Sequence, residues 1–123
     1  MTSWRAVGIG FLVIVVLSVL GVAAPGLGQL TAGLVGGFVA GYLAGGGLGS
    51  GFWHGLLAGS LGGIVGGLIL ALVVGLVGFA LGPAGAAISS VLGASIFAFA
   101  VIVAFVMALE SAVAGALGGL LNP

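Results

Sequence analysis

Apolar residues fill this chain in four long runs, and the few polar residues gather at the breaks between them. The first run covers about residues 5–24, with Phe11–Leu17 at its centre, and the second about 30–45. The third covers about 53–81 and the fourth about 88–111. A helix of roughly 20 residues at 1.5 Å per residue matches the roughly 30 Å hydrocarbon core of a bilayer. The pattern therefore predicts an all-α membrane protein with four transmembrane helices in a single domain. The breaks carry the residues that stop helices: Pro25, Gly26 and Gly28 in the first, Gly45–Gly51 around Ser50 in the second, and Gly82, Pro83 and Gly85 in the third. Residues 86–92 read either as loop or as the first turns of the fourth helix. The apolar stretch after Ser89 is longer than a bilayer needs. Residues 112–121 are accordingly expected to form a short helical extension that leaves the membrane or runs along its surface.

A second periodicity lies inside the runs. Glycine recurs every fourth residue at 33, 37, 41 and 45, and again at 51, 55, 59, 63 and 67, and the two ladders mirror each other about Ser50. A four-residue step drifts only about 40° around a helix, so each ladder keeps to one face. In water such glycines cost about 1 kcal/mol each against alanine. In lipid they let two backbones approach closely, at a right-handed crossing near −40°. The mirrored register predicts a central glycine hairpin of the second and third spans: Gly33 opposite Gly67, Gly37 opposite Gly63, Gly41 opposite Gly59 and Gly45 opposite Gly55. The third span has a further row in Gly62 and Gly66, and the fourth has an alanine ladder at Ala100, Ala104, Ala108, Ala112 and Ala116. The bulky, β-branched first span is expected at the periphery. Gly33–Gly41 and Gly59–Gly67 also share a local text, read either as a duplicated helix or as convergence on one packing rule.

Composition narrows the function classes. Of 123 residues 63% are hydrophobic and 2% charged, which excludes a soluble globular protein. A single Arg, Glu and His, with no Lys, Asp or Cys, leaves no footprint for nucleic acid and no thiolate metal site. The N-terminal run is as long as a full span and is read as a retained helix rather than a cleaved leader. No HExxH, no GxSxG, no phosphate loop with its Lys and no paired carboxylates occur, so no enzyme and no cofactor are expected.

The polar residues suggest an orientation. Four spans return both termini to one side, and Arg5 beside the N-terminus places that side in the cytoplasm by the positive-inside rule. On this topology Trp4, Arg5, Tyr42, Trp53, His54 and Glu110 fall near one interface, where a direct or water-bridged Arg5–Glu110 pair is geometrically feasible. His54 reads as an interfacial hydrogen-bonding residue or as a proton relay. Glu110, two turns beyond the centre of its apolar run, reads as a structural interfacial acid or as part of an ion path.

The chain resembles an uncharacterised family of small, glycine-rich, four-span membrane proteins of halophilic archaea. The resemblance rests on Trp4-Arg-Ala-Val-Gly-Ile-Gly-Phe11, Pro25-Gly-Leu-Gly-Gln29, Gly36-Gly-Phe-Val-Ala-Gly-Tyr-Leu-Ala-Gly-Gly46 and Trp53-His-Gly-Leu-Leu-Ala-Gly59, all in the first half. It implies an archaeal cell membrane and supplies no catalytic or binding residues. The expected function is a non-catalytic packing or accessory subunit. It would meet membrane lipids and a homo-oligomeric or heteromeric membrane partner, with no soluble small-molecule substrate. The alternative is a small ion or proton channel or carrier using Glu110 and His54.

Overall fold

Each apolar run forms an α-helix, and the residues between them fix where each helix stops. The structure, a computed structural model, describes residues 2–24 and 27–123. Helix α1 spans Trp4–Leu20, with Ser3 as its N-cap: the Ser3 hydroxyl accepts from the Ala6 N–H at 3.4 Å. A 3₁₀ turn, Gly21–Ala23, follows, and the expected break at Pro25 and Gly26 lies outside the described residues. Helix α2 spans Leu27–Ala44. Gly45, Gly46 and Gly47 then turn the chain with φ of 63°, 82° and 89°, a run of left-handed conformations that a side chain disfavours. Helix α3 spans Leu48–Ala80 and helix α4 Gly82–Leu121, with only Leu81 between them. Gly82 at φ 85° makes that tight reversal, and Pro83 sits in the first turn of α4, where its missing N–H is not needed.

Helices α2, α3 and α4 are long and apolar enough to cross a membrane, and α1 is a shorter apolar helix. Of the two readings of 86–92, the structure has the helix. The boundaries shift elsewhere: α1 ends at Leu20 rather than near 24, α3 begins at Leu48 rather than near 53, and 112–121 is no separate extension but the continuous C-terminal end of α4. Far from leaving the fold, this end is its interior: Ser111, Ala112, Ala114, Gly115, Gly118 and Gly119 are all buried. The protruding part is elsewhere. Between Ser60 and Val106 only Gly78 is buried, so the distal halves of α3 and α4 form a two-helix hairpin extending from a four-helix layer.

The order of packing also differs from the mirrored hairpin. α4 packs most extensively on α3 and then on α2, and direct α2–α3 contact is smaller. The glycine ladders of α2 and α3 do not face each other, because the C-terminal half of α4 lies between them. The physical reason is that α4 presents Ser111, Gly115 and Gly119 at four-residue spacing and offers backbone-close contact to both neighbours at once. α1 packs on α2 and α3 through Ala6, Val7, Gly10 and Ile14, leaving its β-branched outer face exposed as its composition suggests.

Both chain ends meet the α2–α3 turn. The Ser3 N–H donates to His54 at the start of α3, and the Gly46 N–H donates to the Asn122 carbonyl at 3.1 Å. The Asn122 side-chain amide donates to the Tyr42 carbonyl at 2.8 Å.

Candidate functional site

The seam around Ser111 is where three helices come within backbone distance. A Cβ added at Gly37 of α2 would lie 2.6 Å from the Ser111 Cα, and one at Gly41 would lie 2.7 Å from the Gly115 Cα. From the other side, a Cβ at Gly55 of α3 would lie 3.0 Å from the Gly115 Cα, and one at Gly59 would lie 2.6 Å from the Ser111 Cβ. Further along, Gly63 lies against Ala104, with an added Cβ 2.9 Å from its Cα, and Gly67 lies more loosely against Ala100 at 3.9 Å from its Cβ. Ala108 meets Gly59, its Cα at 3.0 Å from the added Cβ. At the two ends of the α2 ladder, Gly45 faces Asn122 and Gly33 faces the Glu110 carboxyl. Gly33, Gly37 and Gly41 of α2 therefore lie against α4, and Gly45, just past α2, lies against the residue that caps the end of α4. Ser111 adds direction to this packing: its hydroxyl, fully buried, donates to the Gly55 carbonyl at 2.7 Å.

Sequence reasoning missed Ser111, Gly115, Gly118 and Gly119 as packing residues. The signal was present, since 111, 115 and 119 form a four-residue repeat of the same kind as those recognised upstream. Gly118 supplies another contact with α2, with an added Cβ 2.8 Å from the Tyr42 nitrogen.

His54 is 2% exposed and its ring is committed. Nε2 accepts from the Ser3 N–H at 2.8 Å, which places the ring proton on Nδ1, and Nδ1 donates to the Ser50 carbonyl at 2.7 Å. Beside it, the Trp53 indole N–H donates to the Thr2 hydroxyl at 3.1 Å. The pair fastens the N-terminus to the start of α3. His54→Leu is expected to lower stability by about 1–2 kcal/mol through loss of these bonds. It should also release the N-terminus, which limited trypsin digestion reads as faster cleavage after Arg5, the chain's one tryptic site.

Glu110 is not at that end of the molecule. It lies eleven residues before the end of α4, and its carboxyl sits against Gly33, eleven residues before the end of α2. At 1.5 Å per residue this is about 16 Å from the chain ends, mid-depth in the four-helix layer. Both carboxyl oxygens are buried, and neither has a hydrogen-bond partner among the described residues. The expected pair with Arg5 is therefore not formed: Arg5 is exposed at the first turn of α1. His54 and Glu110 are likewise not hydrogen-bonded to one another. Among the described residues no three His, Cys, Asp or Glu side chains gather as a metal site.

A half-open apolar cavity of about 520 Å³ lies between α1 and the α3–α4 hairpin and ends at Met107 and Gln29, one helical turn short of Glu110 and Gly33. Ile14, Ser18, Gln29, Gly66, Phe99 and Met107 line it, with Gln29 and Ser18 as its polar side chains.

These features define an all-helical protein with three helices of membrane-crossing length, a shorter apolar one, and an interior of glycine, alanine and serine around a single acid. The chain belongs to the Family of unknown function (DUF5518), whose model matches residues 4–121. The match runs through both halves, whereas the resemblance seen in the sequence was carried by the first. The chain matches no curated protein and no solved structure.

Proposed function

We propose that the protein is a four-span integral membrane protein that acts as a non-catalytic packing or accessory subunit, associating with copies of itself or with a larger membrane complex through small-residue helix faces. The observation that carries this reading is a second small-residue face on α4 that the chain does not use. Ala84, Ala87, Ala94 and Ala98 are all exposed on it, with Val91 the one larger side chain in a row of three- and four-residue spacing. They fall within an arc of about 80°, about 170° around the helix from the side that meets α3. In lipid, where exposure of apolar side chains costs nothing, small residues at a repeating interval mark where a second helix can come close. Gly75 and Gly93, with no atom within 4 Å of an added Cβ, leave further room on the same hairpin.

The shared position of both chain ends, with Arg5 beside them, supports cytoplasmic termini. The resemblance to proteins of halophilic archaea supports an archaeal cell membrane as the setting. A carrier that uses Glu110 and His54 together has less support, because both ring nitrogens of His54 are already bonded.

The absence of cysteine makes the test clean. Ala87→Cys and Ala94→Cys are expected to form disulfide-linked dimers on mild oxidation in native membranes, and Leu92→Cys, on another face of the same helix, is not. Monomers in native mass spectrometry across several mild detergents, together with no cross-link from either alanine position, would refute self-association. Co-purification of another membrane protein with the uncross-linked chain would select the heteromeric form.

A further inference from the structure

We infer that Glu110 is a proton-binding site in the helix interior, one helical turn from the cavity between α1 and the α3–α4 hairpin, and that a lipid-soluble carbodiimide entering that cavity modifies it. The inference rests on the membrane placement proposed above and is independent of self-association.

Three observations meet at this residue. The carboxyl is at mid-depth, covered, and without a hydrogen-bond partner among the described residues. A structural role does not explain it, since an apolar side chain would pack against Gly33 without the several kcal/mol that an unpaired buried charge costs. The cavity approaches it on both flanking helices: Gln29 is one turn before Gly33 on α2, and Met107 is one turn before Glu110 on α4. Side chains on a helix lean toward its N-terminus, so the Glu110 carboxyl points toward the Met107 turn and the cavity. In the other direction the way is closed. Gly37 against Ser111 and Gly41 against Gly115 leave no space between α2 and α4.

The surroundings favour a proton over a metal cation. A cation would need several oxygen ligands, and among the described residues no three His, Cys, Asp or Glu side chains gather to supply them. The chain's other titratable side chains are Arg5, Tyr42 and His54. Arg5 is exposed on α1; Tyr42 lies nine residues beyond Gly33 on α2, stacked on Phe38; the ring of His54 on α3 is held by Ser3 and Ser50. None of them is hydrogen-bonded to the Glu110 carboxyl.

The modification is an addition in which nothing leaves. The carboxyl proton passes to one carbodiimide nitrogen while the carboxyl oxygen bonds to the central carbon and one C=N becomes C–N. The resulting O-acylisourea, shielded from water, rearranges by acyl migration from oxygen to nitrogen into a stable N-acylurea. Only a carboxyl that holds a proton in an apolar setting completes this sequence.

The test uses the purified protein in phosphatidylcholine vesicles, treated with dicyclohexylcarbodiimide or with a water-soluble, permanently charged carbodiimide and read by mass spectrometry of fragments. The expected result is an adduct on Glu110 from the lipid-soluble reagent, at a rate that falls as pH rises and is about tenfold or more above that of the charged reagent. Glu110→Gln should abolish the adduct. Gly66→Leu fills the cavity at a position where an added Cβ meets nothing within 4 Å. It should slow labelling about tenfold, which is about 1.4 kcal/mol on the barrier, with helix content by circular dichroism unchanged. Should that variant not fold, Ser18→Leu on the opposite wall serves the same purpose. No adduct, equal reactivity toward both reagents, or an unchanged rate in a folded cavity-filled variant would overturn the inference. None of these outcomes bears on the alanine-face cross-links, so failure here and failure of the assembly reading are distinguishable.

Discussion

Gly115→Leu is expected to leave no folded protein, and even Gly115→Ala to lose about 3 kcal/mol or more. Overpacking in an ordinary core costs about 1–3 kcal/mol because neighbouring side chains can shift. At Gly115 the neighbours are main chain: an added Cβ would sit 2.8 Å from the Gly55 Cα and 3.0 Å from the Gly55 nitrogen, and it would press on the Gly51 carbonyl. On its other side Gly115 is itself the surface that Gly41 meets. A methyl group here must part α3 from α4, and the contact between α4 and α2 moves with it. Thermal unfolding in mild detergent measures the loss. Gly93→Ala, on the same helix but with nothing within 4 Å of an added Cβ, provides the control and should stay within about 1 kcal/mol of the parent, the size of the propensity difference between the two residues. Equal destabilisation by the two substitutions would mean that the seam does not lie where the structure puts it.

A chain ending at Ser111 is expected to show no cooperative unfolding transition at all. Truncation there deletes Ala112, Ala114, Gly115, Gly118 and Gly119, all buried, and leaves the close-contact faces of Gly41 and Gly51 with nothing to meet. Were residues 112–121 an extension at the membrane surface, the same truncation would be nearly silent. A chain ending at Leu121 separates the two cases. It keeps the seam and gives up the Asn122 bonds to Gly46 and Tyr42, each with a net value of about 1 kcal/mol. The measurement is again thermal unfolding in detergent, with size-exclusion behaviour as a second readout.

The turns were legible in the sequence because their chemistry is local. Three glycines in succession and a Gly-Pro pair stop a helix wherever they occur, and the chain reverses at Gly45–Gly47 and at Gly82. The glycine faces were legible as places of close approach, but their partner was not. Periodicity says which side of a helix is smooth and carries no information on which other smooth side it meets. The mirror symmetry of the α2 and α3 ladders suggested that they meet each other, yet α4 has a row of its own at Ser111, Gly115 and Gly119 and is the helix both of them use. The excess length of the last apolar run lies not at its C-terminal end, which carries that row, but at the opposite end, in the hairpin around Leu81. The depth of Glu110 follows from the same geometry: the centre of its apolar run is not the centre of the four-helix layer, so a position two turns beyond the first lies at mid-depth in the second. The bond from Ser3 to His54 joins residues 51 apart with no pattern linking them.

Under the membrane placement proposed above, the unequal lengths of the helices have a consequence for the lipid itself. α3 has 33 residues, about 50 Å of helix, against a hydrocarbon core of about 30 Å. Its last turns are not polar: Leu72, Leu76 and Phe79 are 65%, 70% and 79% exposed. Hiding that length by leaning alone would require an inclination of about 50°, beyond the 0–40° range of helices in bilayers. In such a membrane α3 and α4 would present more apolar length than the core can cover, by about 20 Å along α3, whereas α1 and α2 would not. At fractions of a kcal/mol per ångström of mismatch, the lipids beside the hairpin would be strained where those beside α1 would not. The protein is in this sense a wedge of hydrophobic length, and a thicker bilayer, or a neighbour with the same overhang, is where that strain relaxes.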